Sequence, residues 1–139
     1  SFCYQTNAAG WAAWIRIDGL GKPIKKSGEL DGCDSAEDAE MRAALNGLFL
    51  ARSKGATDIL LQSDCMAVVG VIAGKKSKWR KARKRWGPLK SKAFPTGFGV
   101  DVDARHVKGH TKTADARSFV NRWCDREAKS HMRKMRGAA

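Results

Sequence analysis

The sequence predicts an α/β domain in which helices flank a mixed sheet, and three observations carry that expectation. An early stretch alternates side chains at period two and then turns back on itself, as a hairpin does. Beyond it the pattern runs helix, strand, helix, strand, helix, an order that lays strands side by side with helices on their faces. At 139 residues the chain is long enough for one real core and too short for two, so residues 1–139 are expected to form a single domain.

Each element has its own signal. Ala9 to Ile17 sets Trp11, Ala13, Ile15 and Ile17 on one face and Trp14 on the other. Asp18-Gly19 opens a turn, and Ile24 to Leu30 returns more polar, as an edge strand does. Ser35 is placed as a helix N-cap with Asp38 three residues on, and Gly55 stops that helix. Leu45, Leu48 and Phe49 are its expected buried stripe. Glu40 shares a face with Ala36, Ala43, Ala44 and Gly47, small residues that let a helix approach a sheet. Asp58 to Ser63 reads as a buried strand followed at once by a helix, Met66 to Ala73. Phe98, Val100, Val102, Ala104 and His106 alternate with Asp101, Asp103 and Arg105 in a further strand ending at Val107. The last helix carries Phe119, Val120, Trp123, Cys124, Ala128, Met132 and Met135 at helical spacing, with Asn121 and Asp125 four apart on one face.

Composition narrows the function. A net charge of +13, with a pI near 10.0, points to a polyanionic partner, either nucleic acid or an anionic membrane surface. No apolar run approaches the roughly 20 residues that span a bilayer, and no signal-peptide core opens the chain, so a soluble protein is expected. Cys3, Cys33, Cys65 and Cys124 are scattered without the paired spacings of a zinc or redox motif, which reads as reduced cysteine in an intracellular, cytoplasmic protein.

Three carboxylates stand out against this basic background: Glu40 on the first helix, Asp64 at the end of a strand and Asp125 on the last helix. Burying an unpaired carboxylate is costly, so acids set among apolar residues need a reason. Singly, each has an ordinary one: Glu40 a salt bridge, Asp64 a helix N-cap, Asp125 a solvated helix position. Together they suggest a site for metal ions, and the C-terminal end of a strand, where Asp64 falls, is where open α/β sheets place their chemistry.

Residues 74–92 change character. Lys75, Lys76, Lys78, Arg80, Lys81, Arg83, Lys84, Arg85, Lys90 and Lys92 supply ten positive charges, with Trp79 and Trp86 at helical spacing among them. The bland reading is a solvated helix. The sharper one is a protruding basic helix that tracks a phosphate backbone while the tryptophans brace it against the domain. Of the three histidines, His106 reads as structural on the apolar face of its strand and His131 as a surface or partly buried helix residue.

In their order these motifs resemble a type 1 ribonuclease H along the whole 139 residues. Ala39-Glu40-Met41-Arg42-Ala43-Ala44-Leu45 is similar to the first-helix glutamate segment, Ser63-Asp64 to the aspartate ending the fourth strand, Val107-Lys108-Gly109-His110 to the mobile-loop histidine, and Asn121-Arg122-Trp123-Cys124-Asp125 to the last-helix aspartate. The resemblance implies an RNase H-like mixed sheet and a nuclease that cuts the RNA strand of RNA–DNA hybrids. Glu40, Asp64 and Asp125 would be metal ligands for two ions of Mg²⁺ or Mn²⁺, which suit hard oxygen donors. His110 would serve proton transfer or product release, and the basic run with Lys108 would bind nucleic acid. A monomer is favoured. A catalytically inactive binding module and a nuclease for another nucleic acid are the alternatives, because fold alone does not fix substrate.

Departures from the family pattern carry expectations of their own. Ser1 resembles the serine that follows the family's first-strand aspartate, which places that strand and aspartate upstream of residue 1, in a longer native chain or in another polypeptide. Without that ligand the chain as given is expected to lose most of its activity. Ala36 and Glu37 stand where relatives often carry asparagine, Cys65 and Met66 replace polar residues after the strand-four aspartate, and the loop Thr111 to Ser118 is longer than usual.

Overall fold

The computed structural model describes residues 1–19, 21–73, 84, 86, 101–108 and 115–138. Its elements are β1 (Ala9–Ile15), β2 (Ile24–Leu30), α1 (Ala36–Ser53), β3 (Asp58–Ser63), α2 (Met66–Ile72), β4 (Asp101–His106) and α3 (Ala116–Ala138). The element order is the expected one. β1 ends two residues short of Ile17, and Gly19 in the turn takes the positive φ of 85° that glycine tolerates best. α1 begins as expected: the backbone N–H of Asp38 donates to the Ser35 hydroxyl at 3.0 Å. It ends on Lys54, and Gly55 follows at φ 88°.

The strands form two ladders. β1 and β2 pair antiparallel from Ala9 opposite Leu30 to Ile15 opposite Ile24. β3 and β4 pair parallel from Asp58 beside Asp101 to Ser63 beside His106. On the edge of β1 away from β2, Ser1–Cys3 lie antiparallel. The Ser1 amino group donates to the Gly10 carbonyl at 2.8 Å, the Gly10 N–H to the Ser1 carbonyl at 3.0 Å, and the Cys3 N–H to the Ala8 carbonyl at 2.8 Å. α1 packs against strands of both ladders, α2 against β3 and β4, and α3 against β1 and β2.

Met41, Leu45 and Leu48 of α1 meet Val68, Val71 and Ile72 of α2 and the indole of Trp86 in the larger core, with Ile59, Leu61, Val102 and Ala104 at its margin. Each such aliphatic side chain contributes about 1.5–3 kcal/mol when fully buried. Phe49, expected in the buried stripe, is 57% exposed. One residue beyond Leu48 turns a helical side chain by about 100°, away from the core, and Met41 and Ala44 complete the stripe instead. The burial of β3 is likewise half of what its apolar run suggests: alternate residues are exposed, Leu60 at 47%.

α3 lies directly on β1. A Cβ added at Gly10 would meet the backbone of Ala128 and Met132, so only glycine permits the approach. Further along, the His131 ring (Nε2) lies 3.0 Å from the Ser27 hydroxyl of β2. Its Nδ1 is 3.4 Å from the Glu29 carboxylate, close enough to pair when protonated but not aligned as a hydrogen bond. His131 therefore ties helix to hairpin.

Candidate active site

Glu40 sits one turn into α1, on the side that faces the strands, where the small side chains of that face keep the helix close. A Cβ added at Gly47 would rest 3.5 Å from the Ala13 methyl of β1. Asp64 follows the last residue of β3. Cys65, not Asp64, is the N-cap of α2, and it makes no side-chain cap bond, so the Asp64 carboxylate is not spent on capping. The Asp64 backbone is pinned instead: His106 Nε2 stands 3.1 Å from its carbonyl. His106 is exposed at the strand end, not on the apolar face expected for it. Asp125 lies midway along α3 and pairs with Lys129 one turn on, at 3.0 Å. Both partners are about 40% exposed, so the pair is worth only about 0–1 kcal/mol and is readily exchanged.

The three acids reach one open cleft from three different elements. Glu40 and Ala43 line it from α1, Asp64 from the β3 end, and Asn121, Cys124, Asp125 and Ala128 from α3, while Ser1, Gly10, Trp11 and Ala12 form the β1 side. Their proximity is legible in the electrostatics. Burial raises the Glu40 carboxyl above its ordinary 4.5, the Ser1 amino group opposes that, and the negative charges of Asp64 and Asp125 add to it. Cys124 beside them is pushed up to about 11, chiefly by burial and further by the same three carboxylates, and therefore stays a neutral thiol at pH 7.

A concentration of mutually repelling oxygen donors with no thiolate among them is the donor set of a hard cation. Among the described residues, no three His, Cys, Asp or Glu side chains stand at ligand spacing as the chain is folded here. All four cysteines are free, and no helix among the described residues is long and apolar enough to cross a membrane.

Of the expected nucleic-acid residues, Lys84 and Lys108 are described and exposed. Trp86 is buried in the larger core. Lys75, Lys76, Lys78, Arg80, Lys81, Arg83 and Arg85 lie outside the described residues, as do Trp79 and the loop histidine His110. Two features escaped the sequence reading. Asp38, read there only as part of a cap, is 2% exposed and central to a hydrogen-bond network. Asp115 caps α3 through the Ser118 N–H at 2.7 Å, for which an aspartate three residues before a serine was a usable signal.

Comparison with known proteins gives three kinds of finding. The family described as reverse transcriptase-like matches residues 1–86. No curated protein sequence matches the chain. Among solved structures, the N-terminal RNase H domain of a Mycobacterium tuberculosis protein superposes with a TM-score of 0.62 at 19% identity, covering 95% of this chain and 98% of that one. RNase H1 of the archaeon Halobacterium salinarum gives 0.60 at 20% identity, over 91% of this chain and 86% of that one. The protease-reverse transcriptase of prototype foamy virus gives 0.57 at 16%, over 90% of this chain and 20% of the viral one. At these identities the likeness is one of fold.

Proposed function

The chain belongs to the reverse transcriptase-like family, with an RNase H-like fold, and from that premise we propose that it is a metal-dependent endonuclease acting on the RNA strand of RNA–DNA hybrids. The observation that carries this reading is the meeting of Glu40, Asp64 and Asp125 at one cleft, from a helix, a strand end and a second helix. Glu40, Asp64 and Asp125 would hold two Mg²⁺ or Mn²⁺ ions, whose chemistry when bound is to acidify a water and to neutralise charge on a leaving 3′ oxygen.

The protein's own groups have separable tasks. Asp64 is aimed by the His106 contact to its carbonyl, and Asp125 by the seating of α3 on Gly10. Asn121, on the cleft side of α3, offers an amide to a substrate hydroxyl or phosphate. Lys108 and the basic segment 74–92 would hold the phosphate backbone, and His110 would move a proton or help product leave.

A binding module without catalysis is the second reading, and one observation favours it: the Asp125 carboxylate is engaged with Lys129 at 3.0 Å. Cleavage of a labelled RNA–DNA hybrid, set beside duplex RNA and duplex DNA with and without Mg²⁺, separates the two. Mg²⁺-dependent cutting confined to the RNA strand of the hybrid is the expected result. Hybrid binding without cutting at any Mg²⁺ concentration would establish the binding module in its place.

A further inference from the structure

On the far side of α3 from the cleft's acids, three aromatic rings gather beside a lysine. Trp14 of β1 packs edge-to-face against Trp123 at 5.4 Å between centroids and against Phe119 at 5.9 Å. The Lys25 ammonium of β2 stands 4.5 Å from the Trp14 ring centre and 5.8 Å from that of Trp123. Phe119 is 54% exposed, so the edge-to-face contact holds the ring while leaving part of it open to solvent. Arg122 and Arg126, both exposed, follow on the same stripe of α3, three and seven residues on. Lys25 and Arg16 add exposed positive charge from the hairpin.

A half-open aromatic ring seated on a second ring, on a helix stripe that also carries two arginines, suits neither a solvated surface nor a buried core. It suits a ligand that brings a flat π-face and negative charge together. We infer that the patch of Phe119, Trp14, Trp123, Lys25, Arg122 and Arg126 binds a single-stranded stretch of nucleic acid, one base stacking on Phe119 and the neighbouring phosphates lying against the cations. Charge decides for this occupant: a second copy of the chain, itself at +13, would set like charges face to face. The inference deepens the nuclease reading by assigning the strand beyond the duplex a place on the helix that carries Asp125, and it rests on that reading only for the class of ligand. Phe119 and Asp125 are six positions apart, about 9 Å along the helix axis, and lie on different faces of α3, so a strand reaching from one to the other would wrap around the helix.

The test needs no catalysis. Binding of a fluorescent oligothymidylate to the full chain is followed by anisotropy in EDTA. Phe119→Ala should weaken it by about tenfold, the loss of one stacked base. Phe119→Trp should restore it. Phe49→Ala, which removes another exposed phenylalanine from a helix outside this aromatic cluster, should leave affinity unchanged. A Phe119→Ala variant that melts like the parent and binds as tightly would overturn the inference. So would equal weakening by Phe49→Ala, or unchanged oligonucleotide affinity with altered self-association in sedimentation, which would make a second copy the occupant. Loss of hybrid cleavage activity altogether, with Phe119-dependent binding intact, would sink the nuclease reading and leave this one standing.

Discussion

The Trp86 indole N–H donates to the Asp38 carboxylate at 3.1 Å across 48 residues of sequence, and both side chains are only 2% exposed. The same carboxylate accepts from Arg42 Nε at 3.3 Å and, on its other oxygen, from the Asp34 N–H at 3.3 Å. Arg42 in turn reaches the carbonyls of Asp31 and Gly32. One buried charge thus binds together the lead-in to α1, the helix itself and Trp86, two residues from Glu40.

Because both Asp38 oxygens accept, one from Trp86 and Arg42 and the other from Asp34, Asp38→Asn sets an amide donor against a donor whichever way it flips. It should lower stability by about 2–4 kcal/mol, the range for a broken buried charged network. Trp86→Phe, which keeps most of the ring volume, should cost about 1–3 kcal/mol. Urea unfolding of both variants checks this, and an Asp38→Asn protein as stable as the parent would show that the network carries no net energy.

Gly10→Ala tests the seating of α3. The added methyl meets helix backbone, which does not swing aside as a side-chain tip does, so α3 must lift. Overpacking of this kind costs about 1–3 kcal/mol. A lower melting temperature should come with a larger loss of cleavage than the stability loss alone explains, because Asp125 rides on the displaced helix.

What was legible in the sequence was local. The Ser35 cap, the glycine stops and the order of elements follow from rules spanning a few residues, and each acid could be assigned to its element by the same rules. Phe49 shows the limit: apolar character at position 49 matches a stripe on paper, but the helix phase set by Met41, Leu45 and Leu48 turns it outward. The Asp38–Trp86 bond and the joining of α3 to Ser27 through His131 link residues 48 and 104 apart, and no local pattern announces them. The two-ladder arrangement is a further case, since strand register depends on partners that periodicity does not name.

Glu40 gives the pH dependence. Its folded-state pKa lies above the ordinary 4.5, through burial first and then through Asp64 and Asp125. Between those two values the folded chain binds more protons than the unfolded one, so Glu40's contribution to stability is present in acid and is lost as pH rises through the folded pKa. Glu40→Gln should therefore stabilise the protein at neutral pH and flatten its decline above about pH 4.5. Mg²⁺ should stabilise the parent more than the variant, because a cation offsets the repulsion that the amide has already removed. Chemical unfolding across pH, with and without Mg²⁺, measures both.

Asp64→Asn keeps shape and the His106 contact to the backbone carbonyl while removing one charge from the cleft. Cleavage should fall by on the order of 10²–10³-fold, the scale for losing one electrostatic group at a reacting centre. Affinity for the uncut hybrid should stay within a few-fold. Parallel loss of binding would mean that the carboxylate serves the fold or the substrate contact and not the chemistry.

Salt dependence is the last discriminator, and it bears on the basic segment. If Lys81, Arg83 and Lys84 each neutralise a phosphate, replacing all three by alanine should reduce the slope of log affinity against log salt by roughly 2–3, since each contact releases close to one counterion. Solvated charges that face away from substrate would also strengthen attraction at long range, but without condensing on particular phosphates they change affinity at low salt more than they change the slope. None of the three replaced side chains belongs to the buried Trp86–Asp38 pair, so the triple variant should fold as the parent does. Affinity measured at several salt concentrations, with one uncut hybrid, then distinguishes a tracked backbone from a merely positive surface: an unchanged slope removes the segment from the binding face and returns substrate affinity to Lys108 and the cations of α3.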